Sequence, residues 1–426
     1  MSTHQRGVRG AAVALFMGVS AHAGAGGFAI VTQSGSAVGN AFSGAVSAAE
    51  DASTIWYNPA GMINLIDPAF QDRWSFSFAT HAIRTSFKFE NAGSTGAFAA
   101  AGSGDGGDGG GWKPIPQGYL SRALTRDLAL GVALNVPFGL KTEYHPEWRG
   151  RFAAIKSEAK AFNLNPALAY RVNELLSLAG GVNVQYFETE LTNFAGSAAG
   201  IASLKADDTG WGWNAGAMLN LPDGKTRVGA AYRSRISYEL TGRATFTGGG
   251  GTFDSDARAA LTVPESLSVG AFTSNGKWDF MAGATWTRWS RVDRITVIRT
   301  TPSALGPAGS TVSTLDFDWR DTTLVSVGAS YAPNRDWKLR FGVGYDPRAA
   351  NDTTRTPRLP DENRFMVTAG ARYNLGSKRG TIDVAYAHEF VRDASVNEAV
   401  PGVPGRLIGT FNNSSDVVSV QYNLRF

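Results

Sequence analysis

The chain closes on Val418-Ser419-Val420-Gln421-Tyr422-Asn423-Leu424-Arg425-Phe426, and the reading of this stretch decides the fold. Even positions are Val, Val, Tyr, Leu and Phe; odd positions are Ser, Gln, Asn and Arg. Successive side chains of a strand point to opposite faces, so one face here is apolar and the other polar. The same period recurs upstream. Trp337, Leu339, Phe341, Val343 and Tyr345 oppose Lys338 and Arg340. Phe365, Val367, Ala369, Ala371 and Tyr373 oppose Arg364, Thr368 and Arg372. Ile382, Val384 and Tyr386 oppose Asp383 and Glu389, and Val228, Ala230, Tyr232, Ile236 and Tyr238 oppose Arg227, Arg233 and Arg235. A soluble sandwich turns its polar face to water. A membrane barrel turns its apolar face to lipid and its polar face to the lumen. Alternation alone fits both. Aromatics at strand ends favour the barrel, because Trp and Tyr sit well at the membrane interface. Trp278 and Trp286 bracket one segment, and Trp337 and Tyr345 another.

The connections give a second line of argument. Six are short, near Thr125-Arg126-Asp127, Asn173-Glu174, Pro222-Asp223-Gly224, Asn275-Gly276, Pro333-Asn334-Arg335-Asp336 and Gly376-Ser377-Lys378. They carry turn residues suited to tight hairpins. Seven long ones are centred near residues 100, 148, 198, 250, 302, 354 and 403. Short periplasmic turns alternating with long external loops mark an outer-membrane barrel. These thirteen connections join fourteen strands, the first beginning near Arg73. The predicted fold is an all-β, transmembrane antiparallel barrel with both chain ends on the periplasmic side.

The opening of the chain reads as a secretory signal over residues 1–23. Arg6 and Arg9 are its basic region, Ala11 to Val19 its short apolar run, and Ala21-His22-Ala23 its cleavage site. Its removal takes the net charge from +4 to +2, because Arg6 and Arg9 leave without an acid. Such a balance argues against nucleic acid as a partner. The absence of Cys excludes disulfides and thiolate chemistry.

Residues 24–66 do not read as barrel; residues 67–426 do. The former hold Gly35, Gly39, Gly44, Ala45, Ala48 and Ala49, then Glu50-Asp51-Ala52-Ser53 and Ile55-Trp56-Tyr57-Asn58-Pro59-Ala60-Gly61-Met62. Ser36 to Ala49 is expected to form a short helix. Pro59 fixes φ and disfavours helix at Asn58, so a new turn starts there. Trp56, Tyr57, Met62 and Leu65 need cover, which a place inside the lumen supplies.

Gly27-Phe28, Gln33-Ser34, Gly39-Asn40-Ala41-Phe42-Ser43-Gly44, Asp51-Ala52-Ser53-Thr54 and Tyr57-Asn58-Pro59-Ala60-Gly61 resemble the N-terminal hatch of the FadL/TodX outer-membrane transporter family. Asn135-Val136-Pro137-Phe138-Gly139-Leu140-Lys141-Thr142-Glu143-Tyr144 resembles that family's third strand, where an inward kink opens the wall. The terminal Phe426 also resembles an outer-membrane assembly signal. The resemblance implies passive uptake of long-chain fatty acids or of aromatic or aliphatic hydrocarbons, by a monomer set among outer-membrane lipid and lipopolysaccharide. It implies capture by external loops near 191–206 and 241–262, then a pocket between hatch and wall. It further implies a sideways exit at Val136, Pro137, Phe138 and Gly139. Phe28, Trp56, Tyr57, Asn58, Pro59 and Ala60 would supply the hatch side of the site.

Physics agrees with a sheltered route, because burial is worth about 25 cal/mol per Å² of apolar area. Pro137 removes a backbone donor and Gly139 relaxes the backbone, so a ladder break there is reasonable. In the fatty acid members a polar residue at the kink and a basic residue after the fifth strand help hold the carboxylate. Val136 and Asn193 stand at those places here and carry no charge. Arg227, Arg233, Arg235, Lys338 and Arg340 share the expected lumen face and are the alternative partners for an anionic head group.

No cofactor or metal is expected. The glycine run 102–111 lacks the strand–helix setting of a nucleotide loop, and Asp316, Asp318 and Asp321 read as solvent-facing strand-mouth acids. An enzyme is disfavoured too. The mature chain has only His81, His145 and His388, with no Ser in an elbow motif beside them. A general porin would need an open lumen, against which residues 24–66 argue.

Overall fold

The computed structural model describes residues 26–101, 104–195, 200–249, 251–376 and 378–426. The signal segment 1–23, Gly24, Gly102, Ser103 and Ser377 lie outside the described residues.

Fourteen antiparallel strands close on themselves. They are β1 (Trp74–Asn91), β2 (Gly111–Ala123), β3 (Leu128–Asn135 and Gly139–Glu143), β4 (Lys156–Arg171), β5 (Leu176–Ala195), β6 (Gly200–Asn220) and β7 (Thr226–Arg233 and Ile236–Gly248). The other seven are β8 (Gly251–Val263 and Ser266–Ser274), β9 (Trp278–Thr287 and Arg294–Arg299), β10 (Thr311–Asp316 and Thr322–Tyr331), β11 (Trp337–Asp346), β12 (Arg364–Asn374), β13 (Thr381–Val391 and Ala394–Glu398) and β14 (Leu407–Arg425). Each pairs with its neighbour in sequence. Closure comes at β1, where Phe78 faces Gly118 of β2 on one side and Tyr422 of β14 on the other. Closure pairs the strands all round, apart from the upper part of β2 against β3, and so keeps backbone donors from lipid.

The sides are as the alternation requires. Val418 and Val420 are 39% and 45% exposed on the outer face, while Ser419 and Gln421 are 0% and 1% exposed inside. One segment departs from this. Ser234 and Arg235 break β7, with Ser234 hydrogen-bonding both the N–H and the carbonyl of Trp213. The break reverses the phase. Arg233 points inward and Arg235 lies exposed, while Ile236 and Tyr238 are buried in the lumen. Arg235 therefore does not share a face with Arg233, contrary to strict alternation. A residue added to one strand turns every later side chain over.

Five of the six short turns are present within the described residues, and the sixth includes Ser377, which lies outside them. Asn173, Asp223, Asn275 and Asn334 each accept two backbone N–H groups that follow them, which is how short polar side chains tighten a turn. Two of the expected long loops are flanked by strand for most of their length. Pairing runs on to Ala195↔Gly200 and to Gly248↔Gly251, with residues 196–199 and 250 outside the described residues, and Ile201–Asp207 of β6 pairs with Thr241–Thr247 of β7. The polar, Thr- and Gly-rich composition there suits a solvated ladder as well as a loop. Residues 191–206 and 241–262 are thus mostly strand, a sheet rising above the membrane.

Residues 26–66 lie within the barrel. The expected helix over Ser36–Ala49 shrinks to one turn, α1 (Gly35–Gly39), capped by Ser34. Ala41 and Phe42 adopt φ of 50° and 64°, which a right-handed helix does not allow. α2 (Thr54–Tyr57) follows, then a 3₁₀ turn at Pro59–Leu65. Pro59 opens that turn, and Asn58 Oδ1 caps it by accepting from the Ala60 N–H at 3.2 Å.

Candidate functional site

The wall makes room for the inner segment with glycine. A Cβ on Gly342 would lie 2.3 Å from the Asn40 carbonyl carbon, and one on Gly229 would lie 2.1 Å from the Val46 carbonyl oxygen. Asn40 Nδ2 donates to the carbonyls of Ala329 and Phe341, and Asn58 Nδ2 to those of Val46 and Ala217. The wall side chains here are absent or small, and hatch amides reach the sheet directly.

Charge fixes the far side of the segment. Glu50 meets Lys338 at 3.0 Å, Arg340 at 2.6 Å and Arg372 at 3.5 Å. Asp51 meets Arg372 at 3.3 Å, and Asp383 bridges Arg340 and Arg372 from β13. Burial pushes the Glu50 carboxyl up, but the three cations outweigh it and hold the group well below its usual range. Lys338 and Arg340 are therefore committed to hatch and wall acids.

On the other side lies a cavity of 140 Å³ between the segment and the wall. Ile30, Val31, Phe42, Trp56, Tyr57 and Pro59 give it an apolar face. Opposite stand Asn163, Asn183, Gln185, Asn214 and Arg233. The asparagines form a row across β3 to β6. Asn163 Nδ2 donates to Asn135 Oδ1 at 2.9 Å, and Asn183 Nδ2 to Asn214 Oδ1 at 3.3 Å. Asn135 Nδ2 in turn donates to Gln33 Oε1 of the inner segment at 2.8 Å. Arg233 ends the row. It donates to Asn183 Oδ1 and to the Trp56 carbonyl at 2.7 Å, and its guanidinium lies 3.4 Å from the Trp56 ring centroid. It is the one charged residue that lines the cavity among the described residues.

Of the residues named from sequence, Trp56, Tyr57, Pro59 and Arg233 converge here, while Asn58 and Ala60 are buried beneath as framework. Arg227 stands apart, 4.2 Å over the Phe272 ring. Phe28 sits above the cavity in an aromatic cluster, 5.2 Å from Trp289, 5.5 Å from Phe138 and 5.8 Å from Trp319.

The third strand breaks where expected. β2 and β3 pair only from Gly118↔Leu134 to Ala123↔Ala129. Above that the second segment of β3 pairs with β4 alone, and contact with the β2 side resumes where the Glu143 N–H donates to the Gly109 carbonyl. Between these limits no backbone ladder joins the two strands. The free backbone groups there turn inward. The Ile30 N–H donates to Pro137 O at 2.8 Å, the Gly139 N–H to Phe28 O at 2.9 Å, and the Val136 N–H to Gln117 Oε1 at 3.0 Å. Pro114 and Pro116 of β2 face the gap, and proline is at home on an edge without a ladder. That signal was present in the sequence.

Other residues emerge only from the tertiary structure. At Asn193, where the resemblance left no charge, the loop over 347–363 crosses the mouth and brings Arg358. Its Nη1 donates to Ser157 Oγ at 3.1 Å and its Nη2 to Asn193 Oδ1 at 3.3 Å. Burial draws this guanidinium down to about 10, with Glu398 opposing the fall. Asp316 pairs with Arg294, Asp318 accepts from Asn351, and Asp321 accepts from the Ser290 N–H. No group of three or more acidic or His residues placed to hold a metal occurs among the described residues.

Comparison with known proteins adds a family and close architecture. Residues 16–426 match the family described as outer membrane protein transport protein (OMPP1/FadL/TodX). A putative outer membrane protein of Neisseria meningitidis serogroup B is 28% identical, with 96% of each chain covered. The long-chain fatty acid transport protein of Escherichia coli K12 is 24% identical, over 89% of this chain and 91% of that one. The crystal structure of a Pseudomonas aeruginosa FadL homologue is 25% identical and superposes with a TM-score of 0.85, covering 94% of this chain and 100% of that one.

Proposed function

This chain belongs to the OMPP1/FadL/TodX family of outer-membrane transport proteins, and from that premise we propose that its cargo is a long-chain fatty acid. The protein is an outer-membrane β-barrel of a family that carries hydrophobic compounds. In this reading the signal at 1–23 is removed, residues 24–66 act as the hatch, and 67–426 form the barrel. The cargo is taken up among the external sheets and loops, held between hatch and wall, and released sideways at Val136–Gly139.

One observation carries the fatty acid reading. Arg233 is a half-buried cation in an otherwise uncharged cavity, and no carboxylate pairs with it among the described residues. A carboxylate placed beside it would form a charge-assisted hydrogen bond in a sheltered site. The Trp56 face holds the guanidinium in position for that partner.

A second reading rests on size. The 140 Å³ cavity is close to the roughly 150 Å³ apolar cavity that takes benzene, and well below the roughly 300 Å³ of ordinary ligand pockets. As it stands it suits a small aromatic hydrocarbon; a long acyl chain requires the hatch to shift.

The test is uptake of labelled oleate into cells lacking their own transporter, with toluene and hexadecane as competitors, for the native chain and for Arg233→Gln. Oleate uptake that falls about tenfold in the variant supports the fatty acid reading. Saturable toluene uptake without oleate uptake replaces it with the hydrocarbon reading. Large ion conductance without either would make the protein a porin.

A further inference from the structure

An amide side chain has an accepting oxygen and a donating nitrogen, and fixed neighbours decide which way each one points. The asparagine row is oriented from both of its ends. At one end Gln33 Nε2 donates to two backbone carbonyls, of Ile30 at 2.7 Å and of Val136 at 3.0 Å. Gln33 Oε1 is thereby left to accept from Asn135 Nδ2 at 2.8 Å. Asn135 then turns its Oδ1 to Asn163, whose Nδ2 donates to it at 2.9 Å. At the other end stands Arg233, which can only donate, so Asn183 turns its Oδ1 to the guanidinium. That same oxygen accepts from Asn163 Nδ2 at 3.3 Å. Both chains of bonds therefore end on the Asn163 nitrogen. Its Oδ1 is left over, closed off from water and without a hydrogen-bond partner.

Asn163 on β4 stands directly opposite Gln185 on β5. Gln185 Oε1 accepts from the Tyr238 hydroxyl at 2.6 Å, and its Nε2 donates to nothing among the described residues. Both residues line the cavity, and they are only 3% and 2% exposed. A spare acceptor and a spare donor thus lie side by side on adjacent strands, in a setting where unmet polar groups are costly. One group answers both. A hydroxyl donates through its O–H and accepts through its oxygen. A carboxylate only accepts, and a hydrocarbon does neither.

We propose that Asn163 and Gln185 form a hydroxyl-recognition site, and that the cargo is a long-chain fatty acid hydroxylated close to its carboxyl group. The hydroxyl donates to Asn163 Oδ1 and accepts from Gln185 Nε2. The carboxylate sits at Arg233. Arg233 and Asn163 share one acceptor, Asn183 Oδ1, so the two subsites are a single residue apart along the row. That spacing suits a hydroxyl a few bonds from the carboxylate and excludes one at the far end of the chain. An unsubstituted acid leaves both amides unmet, and a site built to bond a hydroxyl discriminates against the analogue that lacks it. This site deepens the fatty acid reading and rests on it.

The experiment measures equilibrium binding of hexadecanoate, 3-hydroxyhexadecanoate and 16-hydroxyhexadecanoate to the purified native protein and to Gln185→Met. The native protein is expected to bind the 3-hydroxy acid about tenfold more tightly than the unsubstituted acid. In Gln185→Met that ratio is expected to fall to about one. Equal affinity of the native protein for these two acids overturns the site, and means that water or a bond between the two amides satisfies them. Equal affinity for the 3-hydroxy and 16-hydroxy acids overturns its place beside Arg233. A ratio that Gln185→Met leaves unchanged removes Gln185 and overturns the paired site. A native protein that binds toluene but none of the three acids overturns the fatty acid reading and this site together, whereas hexadecanoate binding without discrimination overturns this site alone.

Discussion

The guanidinium of Arg233, on the wall, lies 3.4 Å from the ring centroid of Trp56, in the hatch, and donates to that residue's own carbonyl at 2.7 Å. The charged side of the cavity is thus positioned by the inner segment. Under the proposed function, displacing the segment at Trp56 would also release Arg233, and occupation of the pocket would be coupled to the position of the hatch.

Trp56→Leu keeps an apolar side chain and the backbone carbonyl but removes the aromatic face. A half-buried cation–π contact is worth about 1 kcal/mol, so oleate affinity is expected to weaken about fivefold. Titration of the purified variant with oleate checks this. Unchanged affinity would show that the ring does not position the guanidinium.

Glu50 ties the opposite end of the hatch to three cations. Glu50→Gln leaves Lys338, Arg340 and Arg372 with fewer acids in a buried setting, which costs about 3 kcal/mol or more. The variant is expected to flicker between closed and conducting states in planar bilayers, where the native chain stays closed. A closed variant would place the restraint elsewhere, in the Asn40 and Asn58 contacts.

The close approach of Asn40 to Gly342 leaves no room for a methyl group. Gly342→Ala is expected to push the hatch off the wall, at a cost of about 1–3 kcal/mol, and to expose it to protease from the periplasmic side. Gly118→Ala is the control, because a Cβ there meets nothing within 4 Å. Equal protease resistance of the two variants would count against tight hatch seating.

Glu398 belongs to the external extension of β13, above the membrane. Burial pushes its carboxyl up to about 7, against the pull of Arg358, and its Oε2 has no hydrogen-bond partner. The folded group therefore keeps a proton that the unfolded chain releases at lower pH. Its favourable contribution is full below the ordinary carboxylate range and is lost as pH rises through about 7. Hydrogen exchange over 394–398 and 407–411, corrected for intrinsic rate, is expected to quicken from pH 5 to pH 8 in the native chain. It should stay level in Glu398→Gln. Equal pH dependence in both would remove Glu398 as the cause.

The sequence determined the barrel because the cause is local. Each strand must present lipid on one side, so Val418, Val420, Phe365 and Phe341 could be assigned outward from period alone. Turns at Asn275-Gly276 and Asn334 were legible for the same reason, since one side chain closes each of them. The hatch was legible through a motif, and its short helix was overestimated because the positive φ values of Ala41 and Phe42 arise from packing against the wall. Arg235 was misplaced because one break at Ser234 turns a strand over without any change in composition. The cavity belonged to tertiary structure alone. Asn135, Asn163, Asn183, Asn214 and Arg233 are ordinary lumen residues on separate strands, and only the register of those strands sets them in one row. Arg358 reaches Asn193 from a loop 165 residues away, and no period in the chain records such a crossing. Alternation fixes which side a residue faces; barrel register and loop crossing fix what it meets there.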